Sequence, residues 1–199
     1  MAYRAAHLMT IGFALIVAIA AGCGTSPPAR FYNLDSTATP DGGPAARYAI
    51  MVGPVSVPAS VDQTQFVVQV ASNQVEVDEY NRWVAPLNDS VARAVAGDLA
   101  MQLGTPNVAT APMANFDHAY RVTIDVQRFE SIKGQAALIE AVWTVRKTDG
   151  GETRSGRTVA REAVQGEGFD ALAAAHSRAL AKVSSDIAVA VRAEASQSH

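Results

Sequence analysis

The sequence predicts an α+β fold: a mostly antiparallel sheet with two amphipathic helices on one face, in the order β-β-β-α-β-β-β-α. Three observations carry this. Two segments keep a helical apolar spacing, one after Pro86 and one from Phe169 to about Glu194. Several others alternate apolar and polar residues with the period of two expected of a half-buried strand. Turn signals at Ser72-Asn73 and Asp149-Gly150-Gly151 join neighbouring strands into hairpins.

Taken in order, the folded body begins near Tyr48. Tyr48 to Val57 alternates and ends at Pro58, Gln65 to Val70 is β-branched and apolar, and Gln74 to Val77 is a short partner across the turn. Pro86 suits the first turn of a helix, after which Leu87, Val91, Val95, Leu99 and Leu103 recur every fourth residue until Gly104 and Pro106 stop it. Tyr120, Val122, Ile124 and Val126 then face one way and Arg121, Thr123, Asp125 and Gln127 the other. Ala137, Ile139, Ala141, Trp143 and Val145 share one face of the next strand, and Glu152 to Val164 returns across the glycine turn. The last helix puts Phe169, Leu172, His176, Leu180, Val183, Ile187 and Val191 on one stripe. Residues 48–195 thus read as a single domain, with 196–199 a polar tail.

Ahead of the domain, Ile11 to Ala21 is an almost unbroken run of apolar and small residues behind Arg4, ending in Ala20-Ala21-Gly22-Cys23. A positive start, a short apolar core and small residues at the cleavage point are the parts of a signal peptide, here residues 1–22. The run is too short for a span, which takes about 20 apolar residues. Cys23 is the only cysteine, and its place after a small pair makes it the acceptor for a diacylglycerol, with an N-acyl chain such as palmitate on the amine that cleavage frees. Two or three chains suffice for a stable anchor, at roughly 0.8 kcal/mol per buried methylene. Ala20 stands where bacterial lipoboxes usually carry Leu. Gly24 rather than Asp follows the cysteine, which favours the periplasmic face of the outer membrane over retention at the inner one. Residues 23–47 read as a lipidated tether because Pro27-Pro28 and Asp41-Gly42-Gly43-Pro44 break regular structure, although the island Phe31-Tyr32-Asn33-Leu34 is expected to dock as a short strand.

Composition narrows the function. Loss of Arg4 with the signal takes the formal charge from −3 to −4, with both signs interspersed, so there is no nucleic-acid footprint. No cysteine follows Cys23, so intrachain disulfides are excluded. Of four histidines only His118 and His176 fall in the body. His176 on an apolar stripe reads as a core histidine satisfied by a hydrogen bond, and His118 beside Asp117 as a turn residue. No Gly-x-Ser-x-Gly elbow, phosphate loop, dinucleotide fingerprint or metal-ligand cluster occurs, so no catalytic residue, metal or cofactor is expected and the chain reads as a non-enzyme.

Two segments exceed scaffolding needs. Val52-Gly53-Pro54-Val55-Ser56-Val57-Pro58 brackets β residues with prolines, which suits an edge strand, and blocking edge pairing explains it equally well. Asp78-Glu79-Tyr80-Asn81-Arg82-Trp83-Val84-Ala85-Pro86-Leu87 mixes aromatic and charged residues ahead of a helix, the composition of interface centres. Its other reading has Trp83 closing the core and Arg82 pairing with a carboxylate.

Together with the Cys23 lipobox and the Phe31 to Leu34 island, these two segments resemble the ABC-type transport auxiliary lipoproteins, including PqiC-like proteins, over nearly the whole chain. The resemblance implies an outer-membrane-anchored periplasmic subunit that works beside an MCE-domain protein and transporter membrane subunits, moving phospholipids or other hydrophobic molecules between two membranes. On that reading Arg82, Trp83, Gly53, Pro54 and Pro58 form the partner surface. The alternative is a periplasmic lipid carrier with an apolar pocket between sheet and helices. The oligomeric state is left open, a homo-oligomer included.

Overall fold

The structure, a computed structural model, describes residues 26–112 and 116–196. Among them eight strands form one sheet: β1 (Arg30–Tyr32), β2 (Ile50–Ser56), β3 (Gln65–Ala71), β4 (Gln74–Trp83), β5 (Val108–Ala109), β6 (Tyr120–Ile132), β7 (Ala136–Lys147) and β8 (Thr153–Ala163). Helix α1 (Leu87–Leu103) follows β4, and α2 (Gly168–Ser196) closes the domain.

The sheet is mixed, which corrects the expectation of a mostly antiparallel one. Hairpins β3–β4, β6–β7 and β7–β8 are antiparallel, whereas β1–β4, β2–β5, β2–β6 and β3–β6 are parallel. Turn residues reveal only pairs joined by a tight turn, and such pairs are antiparallel. The parallel pairs join strands far apart in sequence, and no local pattern marks them. The long strand β6 organises the rest: one edge pairs throughout with β7, and the other takes β2 along Tyr120–Asp125 and β3 at Ser131–Ile132. The β2 ladder shifts register between Val52 and Val55, where Pro54 has no N–H to give. Strand β4 also runs further than expected, through Asp78 to Trp83, because β1 and the start of β3 pair with its last residues.

Alternation along β6 and β7 turns Tyr120, Val122, Ile124, Val126, Ile139, Ala141, Trp143 and Val145 inward, and all are buried. Both helices cover that face. Leu172, His176, Leu180, Val183, Ile187 and Val191 of α2 are buried as one stripe, as are Leu87, Val91, Val95, Leu99 and Leu103 of α1. Each such aliphatic side chain contributes about 1.5–3 kcal/mol through burial.

Residues 36–46, read from composition as tether, instead run along the helices. The fully buried Asp98 of α1 receives Ser36 Oγ at 2.8 Å, Thr37 N at 2.9 Å and Ala38 N at 3.0 Å on Oδ1, and Ser184 Oγ of α2 at 3.0 Å on Oδ2. Gly97 permits the approach, since a Cβ there would stand 2.8 Å from Ser36 Cβ. Further along, Arg192 donates to both oxygens of Asp41, and Ala46 N donates to Leu103 O at 2.9 Å. The bond from Arg192 holds the Asp41 carboxyl below its ordinary pKa against the opposing effect of desolvation. Leu34 is buried ahead of this strap, and β1 docks on β4, so the ordered chain begins well before Tyr48.

Candidate functional site

The residues expected at a partner surface fall in two places. Trp83 is 3% exposed, stacks on Phe66 at 4.0 Å between centroids and meets Phe129 and His176 edge-on. The ring is a wall of the core with no face left for a partner, which corrects its assignment to an interface. Arg82, next to it, points to the opposite face of the sheet, where it pairs in register with Phe31 of β1 and Gln65 of β3. Its Nε donates to Glu79 O at 3.0 Å rather than to a carboxylate.

Gly53, Pro54 and Pro58 belong to β2 and the loop after it, with β3 and β6 lying between them and Arg82 in the sheet order. Pro54 is exposed, and β5 covers only Ile50 and Met51, so no described strand pairs the free side of β2 from Val52 onward. Beside it Arg121 Nη1 reaches Gly53 O at 3.5 Å and Nη2 lies 3.3 Å from His118 Nε2. Pro58 faces a cavity of about 220 Å³ with Val61, Val67, Val75, Phe129 and Glu130. That notch exists because β2 leaves β6 after Asp125 and β3 joins it only at Ser131. Cys23 lies outside the described residues, as do the signal segment 1–22 and the last three residues of the tail.

Of the two described histidines, His118 lies beside Arg121 near the surface and His176 lies in the core. His176 is fully buried, its Nε2 lies 2.8 Å from Ser131 Oγ, and its ring stacks on Phe129 at 4.0 Å. Its Nδ1 has no partner, so no carboxylate orients the ring as a catalytic base requires. A proton on Nε2 leaves Nδ1 a bare lone pair, cheaper than a buried orphan N–H. Burial pushes its pKa down to about 3, keeping the ring neutral. Among the described residues no group of three or more His, Cys, Asp or Glu side chains could hold a metal ion.

Clefts open along the rim of the domain. One of about 380 Å³ opens between β3, the β6–β7 turn and the start of α2, lined by Val68, Val164, Phe169 and Leu172 with Lys133 and Glu167 at its mouth. No local sequence pattern marks it, because its walls come from three separate segments. Val75 and Val77 on β4, which alternation alone would turn inward, are exposed.

These features define an α+β domain in which two helices cover one face of a single mixed sheet. The sequence profile of the ABC-type transport auxiliary lipoprotein component matches residues 32–188, and the chain belongs to that family. A crystal structure of a Xanthomonas campestris protein of the DUF330 family is similar, with a TM-score of 0.70 and 22% identity over 85% of this chain and 98% of that one. Another, of an uncharacterized protein, gives 0.68 and 21% over 83% and 99%. At these identities the two likenesses show the fold. No curated protein sequence matches. Among the described residues no helix is long and apolar enough to cross a membrane.

Proposed function

We propose that this protein is a non-catalytic accessory lipoprotein, held on the periplasmic face of the outer membrane by an acylated Cys23, in an ABC/MCE-type system that moves lipids or other hydrophobic molecules between the two membranes. The observation that carries this reading is the family match over residues 32–188. The chemistry agrees with it. Cys23 follows a signal-like segment, and the buried Ser131–His176 pair has neither an acidic partner nor access to solvent.

The partner surface is assigned to the free side of β2 around Pro54 and Ser56, with Arg121 beside it. A proline-bearing strand cannot receive a full ladder, so an MCE-domain protein would dock there through side chains and the remaining carbonyls. The carrier reading retains one specific support, the rim cleft between the sheet and α2 with its apolar floor.

The deciding experiment is affinity purification of the intact lipoprotein from detergent-solubilised envelopes, with Cys23→Ala as control, followed by identification of co-purifying proteins and lipids. Recovery of an MCE-domain protein supports the subunit. Stoichiometric lipid with no protein partner shifts the case to the carrier.

A further inference from the structure

Exposed apolar side chains are normally scattered singly over a protein surface. Of nine large ones among the described residues, five lie on β1, on β4 or immediately after it: Phe31, Val75, Val77, Tyr80 and Val84. The other four are spread one each over α1, β7, β8 and α2. Phe31 is 62% exposed and Val84 59%, although Tyr32 and Trp83 beside them are inward.

The register explains how they gather. Phe31 pairs with Arg82, Arg82 with Gln65, Val77 with Val67, and Val75 with Gln69. Paired residues share a face, so Phe31, Arg82, Val67, Val75 and Val77 lie together opposite the buried Phe66 and Val68. Neither helix covers this face. Arg82 lies beside Phe31 on this face, and no described carboxylate forms an ion pair with it. An aromatic and aliphatic patch with an arginine at its edge is the chemistry of the boundary between lipid headgroups and acyl chains.

The chain itself identifies the occupant. Cys23 stands seven residues before Arg30, the first residue of β1. Fully extended, that link reaches at most about 25 Å, and as a flexible coil about 15 Å. A tether of some 20 residues would let the body stand away from the membrane, but docking of residues 30–46 on the body removes that slack. The β1–β4 edge is thus the part of the domain nearest the acyl chains.

We propose that the outer face of β1, β4 and β3, centred on Phe31, Val77 and Val84 and edged by Arg82, rests on the lipid surface in which Cys23 is anchored. This inference rests on the lipoprotein reading. It gives the molecule an orientation, with Arg82 at the headgroups rather than at a protein interface.

The test uses the full-length acylated lipoprotein reconstituted in phosphatidylethanolamine–phosphatidylglycerol vesicles. Nitroxide labels are placed at Phe31→Cys, Val77→Cys or Val189→Cys, the last on the outward side of α2, after acylation has consumed Cys23. Flotation comes first: the chain should float with the vesicles and a Cys23→Ala chain should not, and absence of flotation overturns the lipoprotein reading itself. Given flotation, labels at 31 and 77 should show several-fold higher collision with oxygen relative to a water-soluble nickel chelate than the label at 189. Equal ratios at all three positions overturn the membrane face and leave the anchor intact. Low access to both reagents at 31 and 77 also overturns it, in favour of a protein partner or second copy covering the face. A Phe31→Ser/Val84→Ser chain with unchanged circular dichroism should still float but lose the oxygen preference at 77.

Discussion

Asp98→Ala is the perturbation from which the structure draws the most. The carboxylate is fully buried and accepts four hydrogen bonds, two of them from backbone amides of Thr37 and Ala38 that have no other acceptor among the described contacts. The two hydroxyls have alternatives: Ser184 Oγ also lies 2.9 Å from Leu180 O, and Ser36 is exposed to water. The loss therefore comes mainly from the two amides. At about 1.5 kcal/mol each for bonds to a charged acceptor, it amounts to about 3 kcal/mol. Against a typical total of 5–15 kcal/mol this is large, and it corresponds to a fall in Tm of about 6–12 °C for a domain this size. Asp98→Asn keeps an acceptor oxygen for the amides, and its NH₂ can donate to Ser184 Oγ, so about 1 kcal/mol is expected. Calorimetry gives the global loss, and hydrogen exchange at Thr37 and Ala38 gives the local one. A Tm shift under 2 °C in Asp98→Ala, with both amides still protected, would refute the view that Asp98 clasps the strap to the helices.

Three further outcomes follow from the core. His176 has a folded pKa of about 3 against 6.5 unfolded, so the unfolded chain binds the proton more readily: stability is complete above pH 6.5 and falls as the pH drops towards 3. By pH 5 the loss is about 2 kcal/mol, read from urea midpoints, and His176→Gln should remove that part of the slope. Gly156→Ala places a methyl against the Trp143 ring, whose Nε1 donates to Thr158 Oγ1 at 3.0 Å; a loss of about 1–3 kcal/mol is expected with a changed near-ultraviolet circular dichroism signal. Trp83→Ala should cost about 3–5 kcal/mol, whereas Arg82→Ala should leave the denaturation midpoint within about 0.5 kcal/mol of wild type.

The two helices were readable because a four-residue apolar recurrence has one structural solution in a chain this size, and the buried stripes of α1 and α2 are the residues that spacing selects. The strands of the β6–β7–β8 meander were readable for the same reason, alternation and a glycine turn being local signals. The His176 stripe position likewise foretold a core histidine, though not its Ser131 partner, which comes from another element. Trp83 was different: the same residues are compatible with a hot spot and with a core wall, and only the stacking partner Phe66, supplied by β3, separates the two.

By itself the sequence determined the signal-like start with its single cysteine, the α+β class, and the order of the two helices and six longer strands of the body, though not the short β5 between α1 and β6. The tertiary structure alone decided the parallel pairings around β6, the docking of residues 30–46 that composition had marked as tether, and the face on which Phe31, Val77 and Arg82 meet. Local periodicity reports which side of an element is apolar. It does not report which distant element covers that side, and on the outer face of β1 and β4 neither described helix does.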